Sequence, residues 1–214
     1  MRRRLAAILI CAAAPALCAI AGAAPPDARA QSGPPQSTVL QPASVSRLVA
    51  AAIAGDQTRL RELVTQLRSR PRARGDRVRA RRLNEHGLAL SQRQRYAEAA
   101  AYFRDAHRAD GSDSEIAENL GYSLLRAGEV AAAEPAILSA LELAPERASA
   151  WGSLGLIYAK QGKHREGVAC VLTAYGFAAD RKRVLEVYTR LAANDEDAKV
   201  RAMLSEAVER LTRR

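Results

Sequence analysis

Aromatic side chains are scarce in this chain. Two Phe, one Trp and six Tyr make up 4% of its 214 residues. A core built around large rings is therefore excluded, and the 48% hydrophobic content, rich in alanine, suits closely packed helices in one domain plus extensions. Lysine is also rare: only Lys160, Lys163, Lys182 and Lys199 stand among 33 basic residues. The net charge of +10 is thus an arginine charge. Abundant arginine with abundant alanine accompanies GC-rich coding, so it does not by itself indicate nucleic-acid binding.

Cysteine and histidine are as sparse. The three histidines, His86, His107 and His164, share no metal-ligand spacing, and no HExxH, CxxC or phosphate-cradling glycine loop occurs. No nucleophile–base pair is evident. These absences lead us to expect a non-catalytic protein with no cofactor and no metal. His86 is expected in the packing, and Cys170 is expected to be a small, half-buried filler rather than a reactive thiol.

The N-terminus reads as an export signal over residues 1–30. Arg2, Arg3 and Arg4 precede an uncharged apolar run from Leu5 to Ala24, and Ala-x-Ala sites place cleavage near residue 23 or 30. Prolines and small residues at the end of the run favour cleavage over a membrane anchor, so a periplasmic or secreted location is expected, with inner-membrane anchoring as the alternative. Cleavage after Ala30 removes four arginines, one aspartate and two cysteines, leaving +7 and Cys170 alone. No internal disulfide is then available, and stability must come from packing.

The segment from Glu118 to Gly128, ENLGYSLLRAG, carries a glycine inside a helical leucine pattern, at a propensity cost of about 1 kcal/mol relative to alanine. Gly121 has counterparts 34 residues away on either side, Gly87 and Gly155. The same step links Ala99, Ala133 and Gly167; Phe103, Ile137 and Val171; Ala106, Ala140 and Ala174; and Gly128 with Gly162. With Trp151 ahead of Leu154-Gly155, this pattern resembles the tetratricopeptide repeat family. The resemblance implies an all-α solenoid, a right-handed superhelix of antiparallel helix pairs A and B, with repeats at 80–113, 114–147 and 148–181. The glycines are expected to face the small residues of helix B and so permit close approach. Ser112 with Glu115 reads as a capping box. The first repeat departs from the pattern at the A–B turn, where Gln94 replaces glycine.

Outside the repeats, residues 31–43 read as a flexible linker, 44–70 as a helical hairpin begun by Ser44, 71–79 as a basic linker and 182–214 as C-terminal capping helices. Eight arginines fall between Arg68 and Arg82 against one acid, Asp76. This run is read first as a solvated linker and secondly as a contact for anionic lipid or an acidic protein face. No aromatics interleave with it for base stacking, so no nucleic-acid partner is expected.

The resemblance places the A helices along a concave groove. Its implied lining includes Arg81, Asn84, Glu85 and Leu88, then Glu118, Asn119, Tyr122, Leu125 and Arg126, then Gly152, Ser153, Leu156, Ala159 and Lys160. Asn84, Leu88, Asn119, Tyr122, Arg126, Leu156 and Lys160 are the candidates for binding a partner's peptide or helix segment. The basic residues of the family's chaperone-tail clamp are replaced by Asn84, Ser149 and Ser153. The expected function is a protein-interaction scaffold of a bacterial envelope complex. The alternative is a membrane-anchored assembly factor using Arg68–Arg82.

Overall fold

The computed structural model describes residues 42–213. The export signal and the linker as far as residue 41 lie outside the described residues. Ten helices and no strands occur among the described residues. Helices α1 (Pro42–Ala54) and α2 (Gln57–Arg68) form a hairpin, and three pairs follow: α3 (Arg77–Gln92) with α4 (Tyr96–Ala109), α5 (Ser114–Arg126) with α6 (Val130–Leu143), and α7 (Ala148–Lys160) with α8 (His164–Phe177). Helices α9 (Arg181–Asn194) and α10 (Ala198–Thr212) complete the chain. None of these helices is long and apolar enough to cross a membrane.

Each pair is closed by a tight turn. Gly128 and Gly162 adopt φ of 85° and 79°, the left-handed conformation that glycine takes without steric cost. Gln94 holds the corresponding turn of the first pair at φ 59°. Here the 34-residue geometry prevails over side-chain preference.

Gly155 faces the small residue Gly167, as the sequence suggested, and the nearest neighbour of each helix-A glycine is the large helix-B residue that follows the small one. A Cβ at Gly87 would lie 2.6 Å from the ring of Phe103, and one at Gly121 would lie 2.6 Å from Cδ1 and Cγ1 of Ile137. Gly155 receives Val171, whose Cγ2 would be 2.9 Å away. Each glycine is therefore a socket for the large helix-B residue four positions after the small one. Phe103, Ile137 and Val171 are buried in these sockets, and their burial offsets the glycine's propensity cost. Backbone also comes close: a Cβ at Gly121 would lie 3.1 Å from the nitrogen of Ile137, and one at Gly155 3.1 Å from the carbonyl of Gly167.

Successive pairs stack. Helix α5 packs on α4, and α7 on α6. The A helices also meet one another, α3 with α5 and α5 with α7, whereas the B helices α4, α6 and α8 do not. The stack therefore curves with the A helices on its inner side. The N-terminal hairpin does not continue it. Helix α1 packs on α6 and α8 and α2 on α6, so the hairpin sits against the B helices on the outer side. Arg68 and Arg70 fasten it there through Glu146 (3.1 Å) and Glu142 (3.4 Å). Arg70 also donates to Ser44 Oγ at 2.7 Å. Ser44 is thus not the helix cap; α1 already runs from Pro42.

The C-terminal end of the stack is covered. Helix α10 packs on α7 and α8, and its Met203 Cγ would lie 3.0 Å from a Cβ at Gly167. Tyr188 of α9 is buried, with its hydroxyl 2.8 Å from where a Cβ of Gly152 would be. Asp197, the N-cap of α10, accepts from Lys160 Nζ at 3.2 Å. Trp151 is fully buried, and its indole N–H donates to the carbonyl of Pro145 at 2.8 Å. Asp113, rather than Ser112, caps α5, accepting from the amides of Glu115 and Ile116. Ser112 instead donates to Asp110 Oδ1 at 2.7 Å.

Candidate functional site

The inner face of the stack is where the sequence placed a groove, and the structure divides its expected lining in two. Asn84 is only 3% exposed, and Glu118, Leu125, Gly152, Ser153 and Ala159 are also buried. These are corrections to the expected lining. The reason is packing between successive elements: one A-helix position regularly meets the element that follows. Asn84 Oδ1 accepts from Asn119 Nδ2 at 3.0 Å, Glu118 pairs with Arg147, and Gly152 lies under Tyr188. Asn84 and Asn119 thus satisfy each other across the α3–α5 contact.

Leu88, Tyr122 and Leu156 share one repeat position, and all three retain exposed surface. Leu88, 37% exposed, is among the few large apolar side chains so open. Beside this row, Arg126 lies against two rings. Its Cζ is 4.8 Å from the centroid of Tyr96 and 5.9 Å from that of Tyr122, and Nη1 donates to the Tyr122 hydroxyl at 3.1 Å. The rings themselves meet edge to face at 6.4 Å. Burial opposes the charge on Arg126, yet Tyr122, Tyr96 and Asp195 together hold its pKa above the ordinary arginine value. The guanidinium is therefore fixed and cationic. Tyr96, which begins α4, escaped the sequence reading because it lies outside the A helices that were scanned for lining. Lys160 is occupied by Asp197.

The remaining candidates fall elsewhere. His86 is exposed rather than packed, with its ring centroid 5.6 Å from that of Tyr102. His107 is half-buried, and burial lowers its pKa. His164 pairs with Glu206 at 2.7 Å. Cys170 is fully rather than half-buried, and burial pushes its thiol pKa up, with Glu166 adding to the shift.

The arginine run is exposed, without helix from Ser69 to Asp76 and helical from Arg77. Helix α3 begins at Arg77, capped by Asp76. Gly75 donates to Asp110 Oδ1 at 3.2 Å, and a side chain there would strike the carbonyl of Ala109. Asp76 N donates to the same carbonyl at 2.8 Å. Arg77 reaches Asp110 at 3.9 Å, and Arg81 reaches Asp113 at 2.6 Å and Glu115 at 3.6 Å.

A curved stack of antiparallel helix pairs defines an α-solenoid. The family model of the tetratricopeptide repeat matches residues 84–147 and 118–180, which fall within α3 to α8 and the turn after it. A search of curated proteins finds no match. Among solved structures, the type III secretion translocator chaperone SycD of Yersinia enterocolitica is 18% identical with a TM-score of 0.50, covering 62% of this chain and 93% of that one. The same chaperone in complex with a peptide of the translocator YopD gives 19% identity and a TM-score of 0.49, covering 63% and 94%. Pseudomonas aeruginosa pilF gives 23% and 0.44, covering 79% and 75%. The SycD similarity at 0.50 is one of fold.

Proposed function

We propose that this protein is a non-catalytic adaptor that binds a peptide or helix of another protein along the inner face of its repeats. The observation that carries the reading is the exposed row Leu88, Tyr122 and Leu156 beside Arg126, which is held by Tyr96 and Tyr122. Apolar side chains flanking an ordered cation and two tyrosines suit an extended or helical segment: the apolar row takes its hydrophobic residues, and the polar tips fix its register. A pull-down from envelope extracts with residues 31–214 as bait would supply the partner. Leu88→Ala combined with Tyr122→Ala should then weaken its binding by about 2 kcal/mol or more. The circular dichroism melt should stay close to wild type, because both side chains retain exposed surface. Unchanged affinity would remove the inner face as the binding site.

The reading extends to an exported protein serving an envelope complex. It is supported by the three N-terminal arginines, the apolar run and the Ala-x-Ala sites. Mass spectrometry of the protein from its native host should find a chain starting at Ala24 or Gln31. An intact Met1 in the membrane fraction would establish the anchored alternative.

A further inference from the structure

The first repeat ends the stack with a face unlike its equivalents. In the second and third repeats, the third, seventh and tenth positions are buried: Ile116, Leu120 and Ser123, then Ala150, Leu154 and Ile157. This face packs on the preceding repeat. Ile116 joins Ala80 and Ala106 in one buried cluster, and Ser123 Oγ lies 3.4 Å from Ser91 Oγ. In the first repeat the same positions are Arg82, His86 and Ala89, and all are exposed. The hairpin α1–α2 does not cover them, because it packs on α6 and α8.

A terminal repeat needs a polar outer face for solubility, and Arg82 and His86 supply one. That requirement does not account for the apolar groups left on the same end. Val78, one turn before Arg82, is 74% exposed, and Tyr102, whose ring lies tilted beside that of His86, is 40% exposed. An open, shallow surface follows this side of α3, along Arg77, Val78, Arg81, Arg82 and Glu85. Val78, Arg82 and Glu85 follow i, i+4, i+7 spacing, the row that a crossing helix meets. The backbone leading into it is pinned at Gly75 and Asp76.

We infer that this open end of the stack, centred on Val78, Arg82, His86 and Tyr102, is a second docking surface, and that its occupant is an acidic amphipathic helix of another protein. Charge complementarity selects that occupant. Arg79 and Arg82 have no acidic partner among the described residues, and Glu85 is the one acid along this surface. A two-fold dimer through this face would set two arginine-rich surfaces against each other. Residues 31–41, which a chain cleaved after Ala30 keeps ahead of α1, carry no acidic residue to pair with Arg79 or Arg82. A planar guanidinium pairs bidentately with carboxylate, while Val78 and Tyr102 take the apolar stripe of the helix.

The test is selection of a phage-displayed library of helix-forming 16-residue peptides on the full-length chain. Enriched peptides should carry Asp or Glu flanking an apolar i, i+3, i+4 stripe. Their binding, measured with the synthetic peptides, should fall at least about tenfold on Arg82→Glu and on Val78→Asp and should persist on Tyr122→Ala, which separates this surface from the inner face. Thermal melts of both variants at wild-type values keep the comparison valid, and Arg82→Gln with an intermediate loss serves where Arg82→Glu unfolds. Peptides without acidic bias, or insensitive to Arg82 and Val78, would overturn the inference. So would competition by a synthetic peptide of residues 1–41. Binding of phosphatidylglycerol vesicles lost on the same substitutions, without enrichment of acidic peptides, would reassign the surface to lipid.

Discussion

Gly121 receives Ile137. A Cβ at the glycine would lie 2.6 Å from both Cδ1 and Cγ1 of the isoleucine and 3.1 Å from its backbone nitrogen. Helix propensity favours Gly121→Ala by about 1 kcal/mol, but the socket opposes it. We expect Gly121→Ala to destabilise by about 1 kcal/mol net and Gly121→Leu by about 1–3 kcal/mol, through overpacking. Ile137→Ala alone should cost about 2–5 kcal/mol, and the double change should cost less than the sum, because the added methyl enters the vacated space. Urea melts giving additive costs would show that the two residues do not share one space.

Gln94 occupies the left-handed turn that Gly128 and Gly162 occupy in the later pairs. A non-glycine residue there costs about 1–2 kcal/mol, while glycine loses more chain entropy on folding, by up to about 1 kcal/mol. Gln94→Gly should therefore stabilise by about 0.5–1 kcal/mol, read as a higher urea midpoint at unchanged m-value. A lower midpoint would mean that the Gln94 side chain makes a compensating contact.

Asn119 holds the stack together through Asn84, in addition to bordering the inner face. Asn119→Ala leaves the buried Asn84 carbonyl oxygen without its donor, at a cost of about 1–3 kcal/mol. Leu88→Ala, on the same face but exposed, should change stability by less than about 0.5 kcal/mol. Equal melting behaviour of the two variants would contradict the asparagine contact.

Asp110 couples the basic segment to the turn before α5. Burial of its carboxyl would raise the pKa. Hydrogen bonds from Ser112 and the Gly75 amide, with Arg77 nearby, outweigh that and hold it below the usual carboxylate range. A group with a depressed folded pKa adds stability above its unfolded pKa of about 3.9, and that stability is lost as pH falls through the folded value. Between pH 6 and pH 3 the wild type should lose more stability than Asp110→Asn, measured as the shift in urea midpoint. Parallel losses in both proteins would rule out Asp110 as a contributor.

The 34-residue period, the three helix pairs and the glycine turns of the second and third were legible in the sequence, because local pattern selects each of them. Apolar spacing selects a helix, and a residue tolerating positive φ selects its end. The shared repeat position of Leu88, Tyr122 and Leu156 was legible because a repeat carries position with it. Tertiary structure alone decided the rest. The socket role of Gly121, the pairing of Asn84 with Asn119 and the burial of Gly152 under Tyr188 each depend on which element lies opposite, and a period does not state that. The capping of α5 by Asp113 instead of Ser112 turned on Asp110, which drew the serine hydroxyl away. The hairpin α1–α2 could have extended the stack on its apolar pattern alone. It lies instead against the B helices, where Arg68 and Arg70 find Glu146 and Glu142, more than seventy residues along the chain. Burying an amphipathic face requires some partner surface, and its own sequence does not specify which surface the folded chain will present.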